Sequence, residues 1–337
     1  MRKNKVSERN VDSVLSHFAL GILTLAAAIA VTGPALSGER AFVTNQDGET
    51  VSIVDLDTMA VTGSVEMPGK PAGIAISDRF AYVSRPEAKA VGVIDLKTGK
   101  ALPEIDVGGG PLGIAVHPTG SPVYVADWFS HSLLVVDPET RTVTGKFETG
   151  ESPSGVAVSA DGTTVVTADR DSNQVSFIET ATGEAKARVS VGERPFGVTI
   201  SPDQARVYAV NVGSDDVTVI DMATHETLAT VPVGSHPYAA AEANERVFVT
   251  DQYGGTLSVF DAKTFEPIDE IVIGEYPEGI EASADGRFVY VANWFDNTLA
   301  RVDTETLDVT ATIDVGSGPR AFGNFIAGKP HEKGTDK

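Results

Sequence analysis

Cysteine is absent from all 337 residues. That excludes disulfides, thiolate metal ligands, CxxCH haem attachment and a cysteine nucleophile. Histidine is scarce, with six copies. His17 and His331 lie near the ends, and His117 and His225 fall in turns. His131 and His236 remain, in different repeats and without ligand spacing, so neither a metal nor a cofactor is expected. There is no G-x-S-x-G elbow and no phosphate-binding loop, so no catalytic residue is assigned. Positive charge is also short: 26 Lys and Arg face 47 Asp and Glu, a net charge of −21. Such a balance disfavours nucleic acid or an anionic membrane surface as a partner.

The N-terminus differs from the rest. Arg2, Lys3, Lys5 and Arg9 precede "FALGILTLAAAIAV" at 18–31. That run is shorter than the roughly 20 residues needed to span a bilayer. With the small residues of "ALS" at 35–37, it reads as a secretory signal peptide over 1–37, or an uncleaved anchor, and places the chain in the periplasm or outside the cell. Without that segment, which has four basic and two acidic side chains, the chain carries −23.

Tryptophan occurs twice, in nearly identical stretches: "YVADWFSHSL" at 124–133 and "YVANWFDNTL" at 290–299. They belong to a repeat of about 42 residues with seven copies. The copies begin "AFVTN" at 41, "AYVSR" at 81, "VYVAD" at 123, "VVTAD" at 165, "VYAVN" at 207, "VFVTD" at 247 and "VYVAN" at 289. In each, an alternating run is followed by a polar loop and a second run such as "DVTVID" at 216–221. A D-x-x-T turn follows, then a third run ending in Val-Gly. A Gly-x-x-Pro corner leads into a fourth run such as "GVTIS" at 197–201. Four short strands per copy, seven times, predict an all-β, seven-bladed β-propeller. The chain enters at the second strand of a blade. "PRAFGNFIA" at 319–327 supplies the missing innermost strand and is expected to pair with the first three strands, closing the ring and removing its edges. The propeller spans 38–327, and 328–337 reads as a disordered tail.

"YVAN", "VSVFD" and the V-G-x-x-P-x-G corner resemble the YVTN family of β-propeller repeats over residues 41–327. The resemblance implies an exported seven-bladed propeller. It is specific for fold and poor for function.

Candidate site residues follow from loop geometry. The loop after the second strand of a blade and the Gly-x-x-Pro corner are expected to share one mouth of the ring. Strand-end positions Arg85, Asp127, Asp169, Asp251 and Asn293 open the loops, where Asp and Asn also serve turns. The loops add Trp128, Phe129, His131, Arg170, Tyr253, Trp294 and Phe295. Lys70, Arg194, His236 and Tyr276 precede the corner proline; Phe196, Tyr238, Glu278 and Arg320 follow it. These side chains are expected to rim a funnel whose positive charge attracts an anion or an acidic partner. The two Trp-Phe loops, four blades apart, stand about 206° around a seven-fold ring.

The function expected is a monomeric, non-catalytic binding or scaffolding module that uses this mouth. Its partner is another exported protein, such as a redox enzyme or cytochrome, or a small ligand. One rival is an accessory part, resembling the heavy subunits of quinone-dependent amine or alcohol dehydrogenases. Another is a lactonase-type hydrolase, which requires a cation or a His–carboxylate pair in the funnel.

Overall fold

The computed structural model describes residues 38–328. The expected signal segment, and all of the expected tail but Gly328, lie outside them. Apart from a 3₁₀ turn at Arg170–Ser172, the regular structure among the described residues is β-strand.

Seven sheets form the blades, each with four antiparallel strands. Blade 3 shows the pattern: Pro111–Val116 innermost, then Val123–Asp127, Ser132–Asp137 and Thr142–Glu148 outermost. Val123–Asp127 is buried along its whole length because it packs on both faces, whereas Thr142–Glu148 is largely exposed. Burial therefore falls from axis to perimeter, and the polar outer strands cover the sheet edges.

The D-x-x-T turns are built as their spacing suggests. Asp55 Oδ1 accepts hydrogen bonds from the Thr58 amide and hydroxyl at 2.8 and 2.7 Å. The equivalent pairs recur at Asp95, Asp221, Asp261 and Asp303. These turns mark the mouth opposite the corners.

The glycine that stands two residues after five of the seven corner prolines has a steric reason; Ala239 and Ala321 take the position after Pro237 and Pro319. A Cβ on Gly155 would meet the Phe196 carbonyl of the next blade at 2.6 Å, and one on Gly113 would collide with the Ser154 carbonyl. Neighbouring innermost strands approach too closely there for a side chain. At the same place the register with the second strand slips, between Pro111 and Ile114 in blade 3 and at equivalent points in blades 4 to 7. A bulge re-aims side chains, and it brackets the residue that follows the proline.

The C-terminal segment closes the ring, with a division of labour. Ile326–Ala327 pairs with Arg40–Asn45 of blade 1, completing that four-stranded sheet. Pro319 bridges to Asn45. Between them, Phe322–Gly323 crosses to pair in parallel with Gly73–Ile76 of blade 2. The segment thus ties blades 1 and 2 together.

Candidate functional site at the aromatic mouth

The residues after the corner prolines fill the axis rather than rim it. Phe196, Tyr238 and Glu278 are buried, and Arg320 is nearly so. Phe196, Tyr238 and Phe322 pack in tilted and edge-to-face contact, with ring centroids 4.6 to 5.3 Å apart. This aromatic plug seals the mouth expected to be an open funnel. Phe322 comes from the closing segment, and sequence reasoning missed it: its strand pattern was visible, its axial position was not.

Arg320 lies across the plug. Its Nε donates to the Tyr238 hydroxyl at 2.7 Å and lies 3.2 Å from Glu278 Oε2. The guanidinium sits over the Phe196, Tyr238 and Trp294 rings at 6.0, 5.6 and 5.8 Å. Gln252 Nε2 donates to Glu278 Oε1 at 3.0 Å, but Oε2 accepts no hydrogen bond. Burial pushes the Glu278 carboxyl up to about 7, against the opposing pull of Arg320. Burial likewise raises the Tyr238 hydroxyl well above its ordinary value.

The strand-end carboxylates and amides are pins. Asp127 accepts from the Gly110 amide at 2.8 Å, and Asp169 from the Gly150 amide at 2.9 Å and the Ser176 hydroxyl at 2.6 Å. Asn293 donates to the Thr298 hydroxyl at 3.1 Å. Burial works to raise the Asp127 carboxyl, but hydrogen bonds from Ser130, Gly110 and Phe129 hold it below its usual value. Asp251 receives hydrogen bonds from the Ser258 and Thr256 hydroxyls, yet burial pushes it up to about 6. All four side chains are buried in the blades. They hold corner to strand, the turn chemistry open to such residues.

His131 has the same kind of role. Its Nδ1 accepts from the Ser152 amide at 3.0 Å. Asn173, Asp215 and Asn297 stand at the equivalent positions and accept from the corner amides of Arg194, His236 and Gly318 at 2.8 Å each. All four acceptors have positive φ, which favours Asn and Asp. The column of Asn and Asp at this position was the signal that could have identified His131 as their substitute.

The cations do not make a free positive rim. Lys70 pairs with Asp47 at 3.2 Å, Arg170 with Asp171 at 2.7 Å, and buried Arg85 with Glu104. Arg194 is exposed and has no ion pair among the described residues. The charge contrast expected from sequence is therefore largely neutralised locally, by carboxylates that the fold brings from strands and neighbouring loops.

The two Trp-Phe loops divide their rings by function. Trp128 is half-buried against the core that contains Phe196, Tyr238 and Phe322, with the Arg170 guanidinium 5.5 Å from its ring. Trp294 is half-buried beneath the Arg320 contact. Both tryptophans thus reach the plug. The phenylalanines do not: Phe129 is 74% exposed and Phe295 61%. Tyr253, 62% exposed, stacks on His236 at 3.7 Å. Tyr276 bridges it to Phe295, with centroids 5.9 and 4.9 Å apart. An aromatic crescent so runs across blades 6 and 7, with Phe129 on blade 3. A cleft of about 250 Å³ is lined by Trp128 and Phe129 together with Phe196 and Arg320 of the plug.

The opposite mouth leads to a larger void of about 530 Å³ along the axis. Glu242 and Glu281 line it. Glu242 accepts from the Tyr208 hydroxyl at 2.6 Å, and Glu281 from the backbone amides of Phe325 and Ile326. Sequence reasoning missed both. Their signal was a break in a column: Glu281 replaces the Ala75, Ala115 and Ala157 of other blades, and Glu242 replaces Val116, Val158 and Ile200. No group of three His, Asp or Glu able to hold a metal occurs among the described residues.

No protein-family profile matches the chain, and no curated protein matches it. Solved structures do share its fold. One is titled "Kuenenia stuttgartiensis Hydrazine Synthase", with TM-score 0.72 and 23% identity over 81% of this chain and 94% of that one. A protein of unknown function from Desulfotomaculum acetoxidans gives 0.70 at 13% identity, covering 84% and 99%. Dihydro-heme d1 dehydrogenase NirN, solved in complex with DHE, gives 0.66 at 18% identity, covering 86% and 66%. At these identities the likeness establishes the β-propeller fold.

Proposed function

We propose that this chain is an exported, non-catalytic binding module that engages its partner through the aromatic mouth. One observation carries the reading: all three exposed aromatic side chains among the described residues, Phe129, Tyr253 and Phe295, stand at this mouth. Large exposed aromatics are unfavourable in water unless something covers them, and aromatic anchors dominate binding energies at interfaces. The plug beneath makes the mouth a rigid platform rather than a passage. Of the histidine and carboxylates here, His131 Nδ1, Asp127 and Asp169 are occupied as backbone and hydroxyl partners, and Asp251 Oδ2 accepts from the Ser258 and Thr256 hydroxyls.

A second reading is an accessory part of an exported oxidoreductase. Its support is the fold shared with structures titled as hydrazine synthase and dihydro-heme d1 dehydrogenase. Without cysteine the chain has no thioether attachment for haem. In such a system it would be the docking part, through the same mouth.

Native mass spectrometry of protein isolated gently from its own cells tests the reading. The parent should carry a protein or small-molecule adduct. A Phe129→Ser, Tyr253→Ser, Phe295→Ser variant should lose it while its melting temperature shifts by only a few degrees, as surface changes usually do. An adduct that survives the triple substitution, or a parent without any, would contradict the proposal.

A further inference from the structure

The cleft beside Trp128 combines features that select a ligand class. Its wall is formed by Pro86, Pro111, Leu112, Trp128, Phe129 and Phe196, with Arg320 the one charged side chain on it among the described residues. An apolar cavity of about 150 Å³ is enough for a benzene ring; this cleft offers about 250 Å³. The Arg320 guanidinium is fixed by three aromatic rings and by its bond to Tyr238. Nη1 makes only a long contact of 3.4 Å to Gln46 Oε1, and Nη2 makes no hydrogen bond among the described residues. A guanidinium with a free edge against an apolar wall matches a planar carboxylate attached to an apolar body.

We propose that this cleft binds a carboxylate borne on a single aromatic ring by a short linker, its oxygens on the free edge of Arg320 and its ring against Trp128 and Phe129. The proposal rests on the reading of this mouth as the binding face, and names what it recognises. Two sources share the chemistry: a free arylalkanoic acid, and the C-terminal aromatic residue of a docked protein.

Glu278 gives the site a proton linkage. Ionised, it neutralises Arg320 from 3.2 Å and competes with an incoming carboxylate. The groups that face it are Arg320, Tyr238, Gln252 and Tyr276; Gln252 donates to Oε1, and Arg320 Nε lies nearest Oε2. Protonated, it leaves the guanidinium's charge to the ligand. With its carboxyl at about 7, the protonated fraction falls about tenfold between pH 6 and pH 8.

The test is titration of the mature protein, followed by calorimetry and tryptophan fluorescence, with 3-phenylpropionate and with 3-phenylpropanol. The acid should bind at least tenfold more tightly than the alcohol at pH 6, and about tenfold more weakly at pH 8 than at pH 6. Glu278→Gln should remove the pH dependence and keep the tight form at pH 8. Arg320→Gln should abolish the preference for the acid. If that variant does not fold, the acid-to-alcohol ratio in the parent decides. Equal binding of acid and alcohol, no binding of either, or an unchanged pH dependence in Glu278→Gln would overturn the proposal. A tetrapeptide ending in Phe with a free carboxylate separates the sources. Tighter binding than the acid points to a protein terminus, weaker binding to a free acid, and both uphold the shared chemistry. The two proposals fail separately. If the acid does not bind but the rim variant loses its adduct, the cleft assignment falls and the mouth stands. If the acid binds but the adduct survives the rim variant, the mouth reading falls and the cleft remains a site.

Discussion

The two ends of this ring are made by the same repeat and differ in almost everything else. At one end, D-x-x-T turns recur with little change, and the axis opens into a void of about 530 Å³ with Glu242 and Glu281 on its wall. At the other, the corner residues change from blade to blade, the axis is plugged by Phe196, Tyr238 and Phe322, and exposed aromatics stand above it. Uniform positions have a uniform task, which is turning the chain. Variable positions are released from that task, and here they have accumulated aromatic surface and a buried Arg320–Glu278 pair. The larger hole is at the uniform end and the concentrated side-chain chemistry is at the other, so cavity size and side-chain chemistry point to different mouths.

The largest effect expected is from removing the piece that serves both ring and plug. Deleting residues 319–337 removes Arg320, Phe322 and the Ile326–Ala327 strand together. It opens a sheet edge and uncovers the buried faces of blades 1 and 2, and cooperative folding should be lost by circular dichroism and thermal melting. A truncated protein melting within a few degrees of the parent would show that the closing segment is dispensable.

Gly113→Val should rank next. Its side chain would meet the Ser154 carbonyl, which belongs to the backbone and has little freedom to yield. Overpacking of this kind costs about 1–3 kcal/mol or more, readable in urea unfolding. The same substitution at Gly120, a far-mouth turn glycine with open space around it but φ of +88°, should strain only one turn. A smaller loss at Gly113 than at Gly120 would undo the close-approach explanation of the corner glycines.

Stability should depend on pH in opposite senses for the exposed turn carboxylates and for the buried ones. Far-mouth turn carboxylates such as Asp221 and Asp261 are held below their usual values by Thr and backbone donors, so the stability they contribute is lost as pH falls through the acid range. Glu278 is raised to about 7 and Asp251, on the aromatic side, to about 6. For them the folded chain holds a proton that the unfolded chain releases, and stability falls as pH rises from about 4 to 7. The melting temperature should therefore be higher near pH 5 than at pH 8. Glu278→Gln combined with Asp251→Asn should reduce that slope without altering the acid limb; Glu281, which burial in the far-mouth void also raises to about 7, supplies the remainder. An unchanged slope in the double variant would place its origin elsewhere.

The smallest effects separate the two rings of each Trp-Phe loop. Trp128→Ala removes a half-buried ring that packs on the plug and should cost about 1–3 kcal/mol. Phe129→Ala removes an exposed ring and should cost less than about 0.5 kcal/mol. Equal losses would mean that the exposed phenylalanine supports the fold rather than a partner.

The blades, the D-x-x-T turns and the closing strand were legible because each is local or repeats, and repetition lets seven weak signals be read as one. The plug was less legible. Phe196, Tyr238, Glu278 and Arg320 were visible as variable positions, but only the bulges in the innermost strands of blades 5 to 7 and the crossing of Phe322 turn them into a packed core. The ion pairs escaped for a related reason: Asp47 and Glu104 meet Lys70 and Arg85 across loops or strands, and sequence distance does not reveal it. His131 was readable in principle, through the Asn and Asp column it belongs to.

Which mouth engages a partner can be measured directly. A photo-crosslinking phenylalanine analogue placed at Phe129 or Phe295 samples the aromatic end, and one at His225 or Glu305 samples the D-x-x-T end. Irradiation of intact cells should give adducts from positions 129 and 295 and none from 225 and 305. Adducts formed only from the D-x-x-T end would contradict the assignment of the aromatic mouth as the binding face.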